Sequence, residues 1–251
     1  MTEKSENPHY ILDSQEEVKR LSKMHEILKD AMGGLLLVPV ELSAAPLRVL
    51  DSATADGTWL RDLASSSGSP VAHTLVGTDI NQHYFPEHRP PGTIHQVQNI
   101  NEPWPQDWHG TFDVVHQRLA LVNAGPVAQT AVTRLAELVK PGGWIQLIEG
   151  ENVSAEGNGP AMHDFATLLK STFAFMGVSS KYPREIHAWL REAGFVDVQE
   201  RVVDVYYGAS NPSPQFARNG IYCVSGAASG LVTFAKGQSM VAYHSISKSR
   251  S

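Results

Sequence analysis

The chain has a single cysteine, Cys223, in 251 residues. That excludes an internal disulfide and a multi-cysteine zinc centre, and it suits a reducing compartment. Long apolar runs are missing too. The longest, "LLLVPV" at 35–40, falls far short of the about 20 residues that span a bilayer. The opening "MTEKSENPHY" is polar and lacks the apolar stretch of a secretory signal. There is no basic run, and the formal charge is −6, whereas a nucleic-acid binder needs clustered lysine and arginine against phosphate. Eleven histidines occur without an HxxxH spacing or a carboxylate pattern typical of a metal centre, so no metal is expected. These absences predict a soluble cytoplasmic protein with neither nucleic-acid nor membrane partners. What is present, 42% hydrophobic and 18% charged residues, is enough for a sizeable core.

Periodicity divides the chain. Val18, Leu21, Met24, Ile27, Leu28 and Met32 recur at three- and four-residue steps, predicting an amphipathic helix over 13–32. Ser14 and Glu17 match a capping box, Gly33-Gly34 ends the helix, and Pro39 prevents its resumption. Residues 1–45 are read as a helical arm or lid, and 46–251 as the main domain. In the latter, the strands "LRVLD", "HTLVGTD", "TIHQVQN", "FDVVHQ" and "GWIQLIEG" alternate with helices, one of them over 126–140 and ended by "KPGG". Two more helices are expected at 159–177 and 183–193, then a long alternating strand, "FVDVQERVVDVYYG". This order implies an α/β, doubly wound, mostly parallel sheet with helices on both faces. Near the end, "QFARNGIYCVSGAASGLVTFAK" reads as a helix and "SMVAYHSI" as a candidate closing strand.

In such sheets ligands bind beyond the carboxyl ends of the strands, so the residues there carry the chemistry. They are Asp51, Asp79, Asn99, His116-Gln117 and Glu149. Asp79 stands 22 residues after Gly57, close to the spacing of an acid that accepts hydrogen bonds from ribose hydroxyls. The loop between the first strand and helix, "DSATADG", spaces its small residues A-x-A-x-G, not G-x-G-x-x-G. Pyrophosphate cofactors favour the latter, which disfavours a dehydrogenase. A loop that opens on an aspartate suits a ligand without phosphates, such as S-adenosylmethionine. Positive φ costs an L-residue about 1–2 kcal/mol, so Ala53 and Ala55 are expected at negative φ.

The stretches "RVLDSATADGTWLRDLA", "VGTDIN", "PWPQDWHGTFDVVHQRLAL" and "LVKPGGWIQLIEGE", with the N-terminal helix, cover residues 10 to about 151 in order. Together they resemble the class I S-adenosylmethionine-dependent methyltransferases. The similarity is to their fungal secondary-metabolism branch, the LaeA-like enzymes, and most closely to the amide N-methyltransferases of gliotoxin-type pathways. The resemblance implies a seven-stranded Rossmann-like sheet, although the C-terminus departs from the usual closing strand. It implies a cofactor site in which Asp51, Ala53, Thr54 and Gly57 surround the methionine part. Asp79 would hold the ribose and Ile80 flank the adenine, with Asn99 and Ile100 beside it. His116 and Gln117 would lie near the amine and methyl, under a lid bearing Tyr10, Arg20 and His25. The implied reaction is methyl transfer to a nitrogen or oxygen of a small metabolite.

For proton removal from the acceptor, His116 is the first candidate, Glu149 the second, and His163, on the helix expected to cover the substrate, the third. Each has a plainer reading as a packing or orienting group. Arg20 has one in an ion pair with Glu16 or Glu17 on its own helix, and His25 as a solvated surface group. Trp104 and Trp108 are read as either pocket wall or loop packing. A non-catalytic regulatory protein of LaeA-like type stands as the alternative function.

Overall fold

The computed structural model describes residues 15–66, 71–151, 158–179 and 181–248. Five parallel strands form one sheet in the order β3-β2-β1-β4-β5: β1 Arg48–Ser52, β2 Thr74–Asp79, β3 Thr93–Val97, β4 Phe112–Arg118 and β5 Val139–Ile148. The helices are α1 Gln15–Met32, α2 Thr58–Ser66, α3 Ala128–Ala136, α4 Pro160–Phe175, α5 Tyr182–Glu192 and α6 Pro214–Lys248. The strand order reverses between β1 and β4, and a doubly wound sheet places its ligand crevice at that switch.

Alternation along the strands sorts side chains to two faces. Val49 and Val114 join Trp59, Leu60 and Leu63 of α2, Leu75 and Leu35 in one buried cluster. Leu50, Val76, Val115 and Phe112 face the other way, with Trp104, Trp108 and Leu135. α3 and α5 pack together through Ala131, Val132, Ile186 and Leu190. Trp104 and Trp108 are therefore core, which decides between their two readings in favour of loop packing. Two residues further along the strands, Asp51 and His116 fall on the α2 face, and Ser52 and Gln117 on the opposite one.

The structure differs from expectation in four respects. Five strands, not seven, are present among the described residues. The stretch "FVDVQERVVDVYYG" is not a strand: from 200 to 207 it has no regular structure, and Val196 and Val202 are exposed. It pairs with no strand of the sheet, and alternation alone does not make a strand. "SMVAYHSI" continues α6 rather than forming a strand. The "KPGG" expected to end a helix lies inside β5 instead, where the register with β4 shifts between Phe112↔Val139 and Val114↔Trp144. That shift is a β-bulge, and Gly142 adopts φ +78 within it.

α1 is not a loose arm. It packs along α6, where the Asn219 amide bridges Lys23 (3.1 Å) and Glu26 (2.9 Å) and Cys223 Sγ donates to the Arg20 carbonyl. Ser14 and the capping box lie outside the described residues. No helix among the described residues is long and apolar enough to cross a membrane.

Candidate active site

The loop between β1 and α2 is held by its own polar groups. Thr54 N–H donates to the Thr78 carbonyl (2.8 Å), its hydroxyl to Asp51 Oδ2 (2.6 Å), and Ala55 N–H to Asp79 Oδ2 (2.9 Å). Turning these donors inward requires left-handed backbone. Ala53 sits at φ 56 and Ala55 at φ 51, contrary to the expected negative values. The strain is offset locally: the Ala55 N–H–carboxylate bond is charge-assisted, and such bonds contribute about 1.5–3 kcal/mol. Gly57, at φ +73, has the same conformation without strain, and a Cβ there would stand 2.8 Å from His95 Nε2.

Asp79 also accepts N–H donors from Asn81 (2.9 Å) and Ile80. Burial raises the pKa of its carboxyl, helped by the neighbouring Asp51 and opposed by these donors. Ile80, at 36% exposure, is the exposed apolar residue beside it.

His116 is 1% exposed and lies flat on Trp59, with ring centroids 3.9 Å apart and planes 3° apart. Its Nδ1 is 2.7 Å from Asp51 Oδ1. Burial, the leading effect, lowers its pKa, and the charges of Arg118 and His25 add to that against the pull of Asp51. A neutral ring placed so donates Nδ1–H to Asp51 and leaves the Nε2 lone pair as its only acceptor, and Nε2 has no partner. Gln117 accepts the Ser52 hydroxyl (2.9 Å) through Oε1, while its Nε2 has no partner.

The other candidates have partners of their own. Glu149 Oε1 accepts N–H from Ala120 and Leu121 (both 3.0 Å) and its Oε2 the Tyr182 hydroxyl (2.7 Å). It ties the end of β5 to the turn after β4 and to α5, and burial raises its pKa. Arg20 is turned away from the strand ends. Its guanidinium is bound by Glu17 (2.7 and 2.6 Å), and its stem lies against Gly226 of α6. His163 is exposed on α4, a helix that packs on α6. β3 stops at Val97, and Asn99 spends its side-chain oxygen on the Asn101 N–H (3.0 Å), an Asx turn. Ile100 packs against the α3/α5 cluster. Tyr10 lies outside the described residues. His25 is no surface group: at 4% exposure it joins Asp62 of α2 (Nε2, 2.9 Å) to Arg118 of β4 (Nδ1, 3.1 Å).

Two participants went unread in the sequence, Trp59 and Arg118. The signal for Arg118 was there, since "HQR" at the end of a strand puts first and third residues on one face.

A methyltransferase-domain family model matches residues 15–200. The chain belongs to that family. It is 37% identical over 217 residues to the N-methyltransferase gliN of Aspergillus fumigatus, covering 84% of this chain and 76% of that one. It is 41% identical over 211 residues to tcpN of Claviceps purpurea, covering 81% and 74%, and 38% identical over 207 residues to sirN of Leptosphaeria maculans, covering 81% and 72%. Both are also named N-methyltransferases. Among solved structures, the phosphoethanolamine N-methyltransferase 2 of Haemonchus contortus, with S-adenosylhomocysteine, aligns at TM-score 0.46 and 17% identity over 71% of this chain and 37% of that one.

Proposed function

We propose that this methyltransferase uses S-adenosylmethionine to methylate a nitrogen, such as that of an amide, in a small fungal secondary metabolite. The observation that carries the reading is the sustained identity to three N-methyltransferases over more than four-fifths of the chain. The residues at the strand ends fit the cofactor. Asp79 offers an anionic acceptor for vicinal hydroxyls beside the apolar Ile80. Asp51, the Nε2 lone pair of His116 and the unpartnered Arg118 Nη1 offer charges and acceptors of both signs for an amino acid.

When bound, the cofactor supplies an electrophilic methyl on a sulfonium. The protein's part is alignment and exclusion of water, in a region where His116, Asp51 and Asp79 are all below 9% exposure. His116, kept neutral by burial and oriented by Asp51, is the group placed to accept a proton at Nε2 or to hold the amine there. Glu149 and Tyr182 position the turn after β4 rather than exchange protons.

The test is incubation of the purified protein with methyl-labelled S-adenosylmethionine and an extract of amide-bearing fungal metabolites. Label is expected on a nitrogen of a small molecule. Label on protein or nucleic acid, or no binding of S-adenosylhomocysteine by calorimetry, overturns the reading. His116→Asn is expected to lower kcat about 10²–10⁴-fold if it acts as base, with a smaller change in cofactor affinity.

A further inference from the structure

Arg118 ends β4 as a half-buried residue. Among the described residues its one hydrogen-bond partner is neutral: Nη2 donates to His25 Nδ1 at 3.1 Å. The ring of His25 is fixed in the accepting tautomer because its Nε2 is 2.9 Å from Asp62. The other terminal nitrogen, Nη1, is buried with no partner. A half-buried guanidinium with a buried, unpaired nitrogen and no carboxylate partner is unusual, because withdrawing an unpaired donor and its charge from water is costly. Desolvation lowers its pKa, and only the charge of Asp51 acts the other way. Asp51 does not neutralise it by contact: its oxygens already take the His116 ring and the Thr54 hydroxyl.

The site therefore holds a cation with an open donor on β4 beside an anion on β1, two strands that pair Asp51 with His116. A free amino acid is the ligand group with one charge of each sign on a single carbon. Its ammonium suits Asp51 and His116 Nε2, and its carboxylate suits a guanidinium. Arg118 lies two residues beyond His116 on the same face, where the methionine end of the cofactor would reach.

We propose that Arg118 is the receptor for the α-carboxylate of S-adenosylmethionine, and that His25 of α1 holds the guanidinium in its receiving orientation. This rests on the cofactor reading above. Arg118 is a binding residue here, and His25 a positioning residue acting through it.

Two ligands separate the possibilities, both without a transferable methyl to the acceptor: S-adenosylhomocysteine, which has the amino acid, and 5′-methylthioadenosine, which lacks it. Both are titrated by calorimetry into the full chain. Arg118→Gln is expected to weaken S-adenosylhomocysteine at least tenfold, since a charge-assisted bond is lost, and to change methylthioadenosine less than twofold. Arg118→Lys restores part of the loss as a point charge. His25→Leu weakens S-adenosylhomocysteine less than Arg118→Gln does and also spares methylthioadenosine. Equal weakening of both ligands by Arg118→Gln, or of neither, overturns the proposal. Should that variant not fold, the wild type decides: decarboxylated S-adenosylhomocysteine must bind at least tenfold more weakly than the parent, and equal affinity overturns the proposal. A wild type that binds none of these ligands overturns the cofactor reading itself, a different result from a cofactor bound without help from Arg118.

Discussion

Ala53 and Ala55 reverse a sequence-based argument at the scale of single residues. Spacing gave the loop its place, but φ was inferred from the cost of strain, and the polar partners that outweigh the strain come from β2. Those partners are invisible locally, because Thr78 and Asp79 are more than 20 positions away in sequence. The positive φ values predict that Ala53→Gly and Ala55→Gly each stabilise the protein. Relief of about 1–2 kcal/mol exceeds the roughly 0.4–1 kcal/mol of added freedom in the unfolded chain. Thermal melts should show a rise of a few degrees at most, and a fall would refute the strain. Gly57→Ala should lower the melting temperature, because its φ of +73 is compounded by the approach to His95. The buried histidines predict a pH effect of definite sign. His25 and His116 both have pKa values lowered below 6.5, chiefly by burial. Below pH 6.5 the unfolded chain binds protons that the folded chain refuses. Their stability contribution is therefore intact above pH 6.5 and is lost as pH falls through the window beneath it. Asp79 and Glu149, raised by burial, act with the opposite sign. The comparison that isolates the histidines is wild type against His116→Gln across pH 7.5 to 5.5, where the variant should have the flatter profile. Identical slopes would remove His116 from the account.

At the scale of elements, most of the sheet was legible. "LRVLD", "HTLVGTD" and "FDVVHQ" are apolar runs buried on both faces that end in a polar group, and each became a strand within a residue or two. Helices α4 and α5 also fell where the sequence placed them. What failed needed knowledge of a neighbour. The 196–207 stretch has strand-like alternation but joins no strand of the sheet, and "KPGG" has a helix-ending composition but sits where the register of β5 with β4 shifts. Glu149 and Arg20 were legible as polar residues near the site, not as groups already committed to Tyr182 and Glu17. The N-terminal helix was found by its period, and one of its faces is buried against the fold. Ile27 is 1% exposed, and Leu28 and Met32 are buried with it. Ile27→Ala should accordingly cost about 2–5 kcal/mol in a urea titration, the range for a fully enclosed aliphatic side chain. A loss below 1 kcal/mol would return α1 to the status of a loose cover.

At the scale of the whole molecule, two helices far apart in sequence pack on each other. The C-terminal α6 lies on α1, and α1 in turn reaches the end of β4 through His25 and Arg118, and α2 through Asp62. α1 thus links α6 to the end of β4, with Asn219 of α6 clasped between Lys23 and Glu26. If α1 must be docked for the cofactor to be held, then cofactor and α6 favour the same state of α1, and linkage makes their effects reciprocal. Ligand at a hundredfold excess over its Kd stabilises the bound state by about 2.7 kcal/mol. Part of that should be felt by α6, which the strand-end residues do not touch directly. Hydrogen exchange with and without S-adenosylhomocysteine should show added protection in α1 and also in the part of α6 around Asn219 and Cys223. Asn219→Ala, which removes a buried bridge without altering any strand-end residue, should lower the melting temperature and weaken S-adenosylhomocysteine severalfold, while leaving the far helices α3 and α5 unchanged in exchange. Protection confined to the loop after β1 and the end of β2, with α6 unmoved and Asn219→Ala binding as the wild type does, would mean that α1 and α6 brace the fold and take no part in holding the ligand.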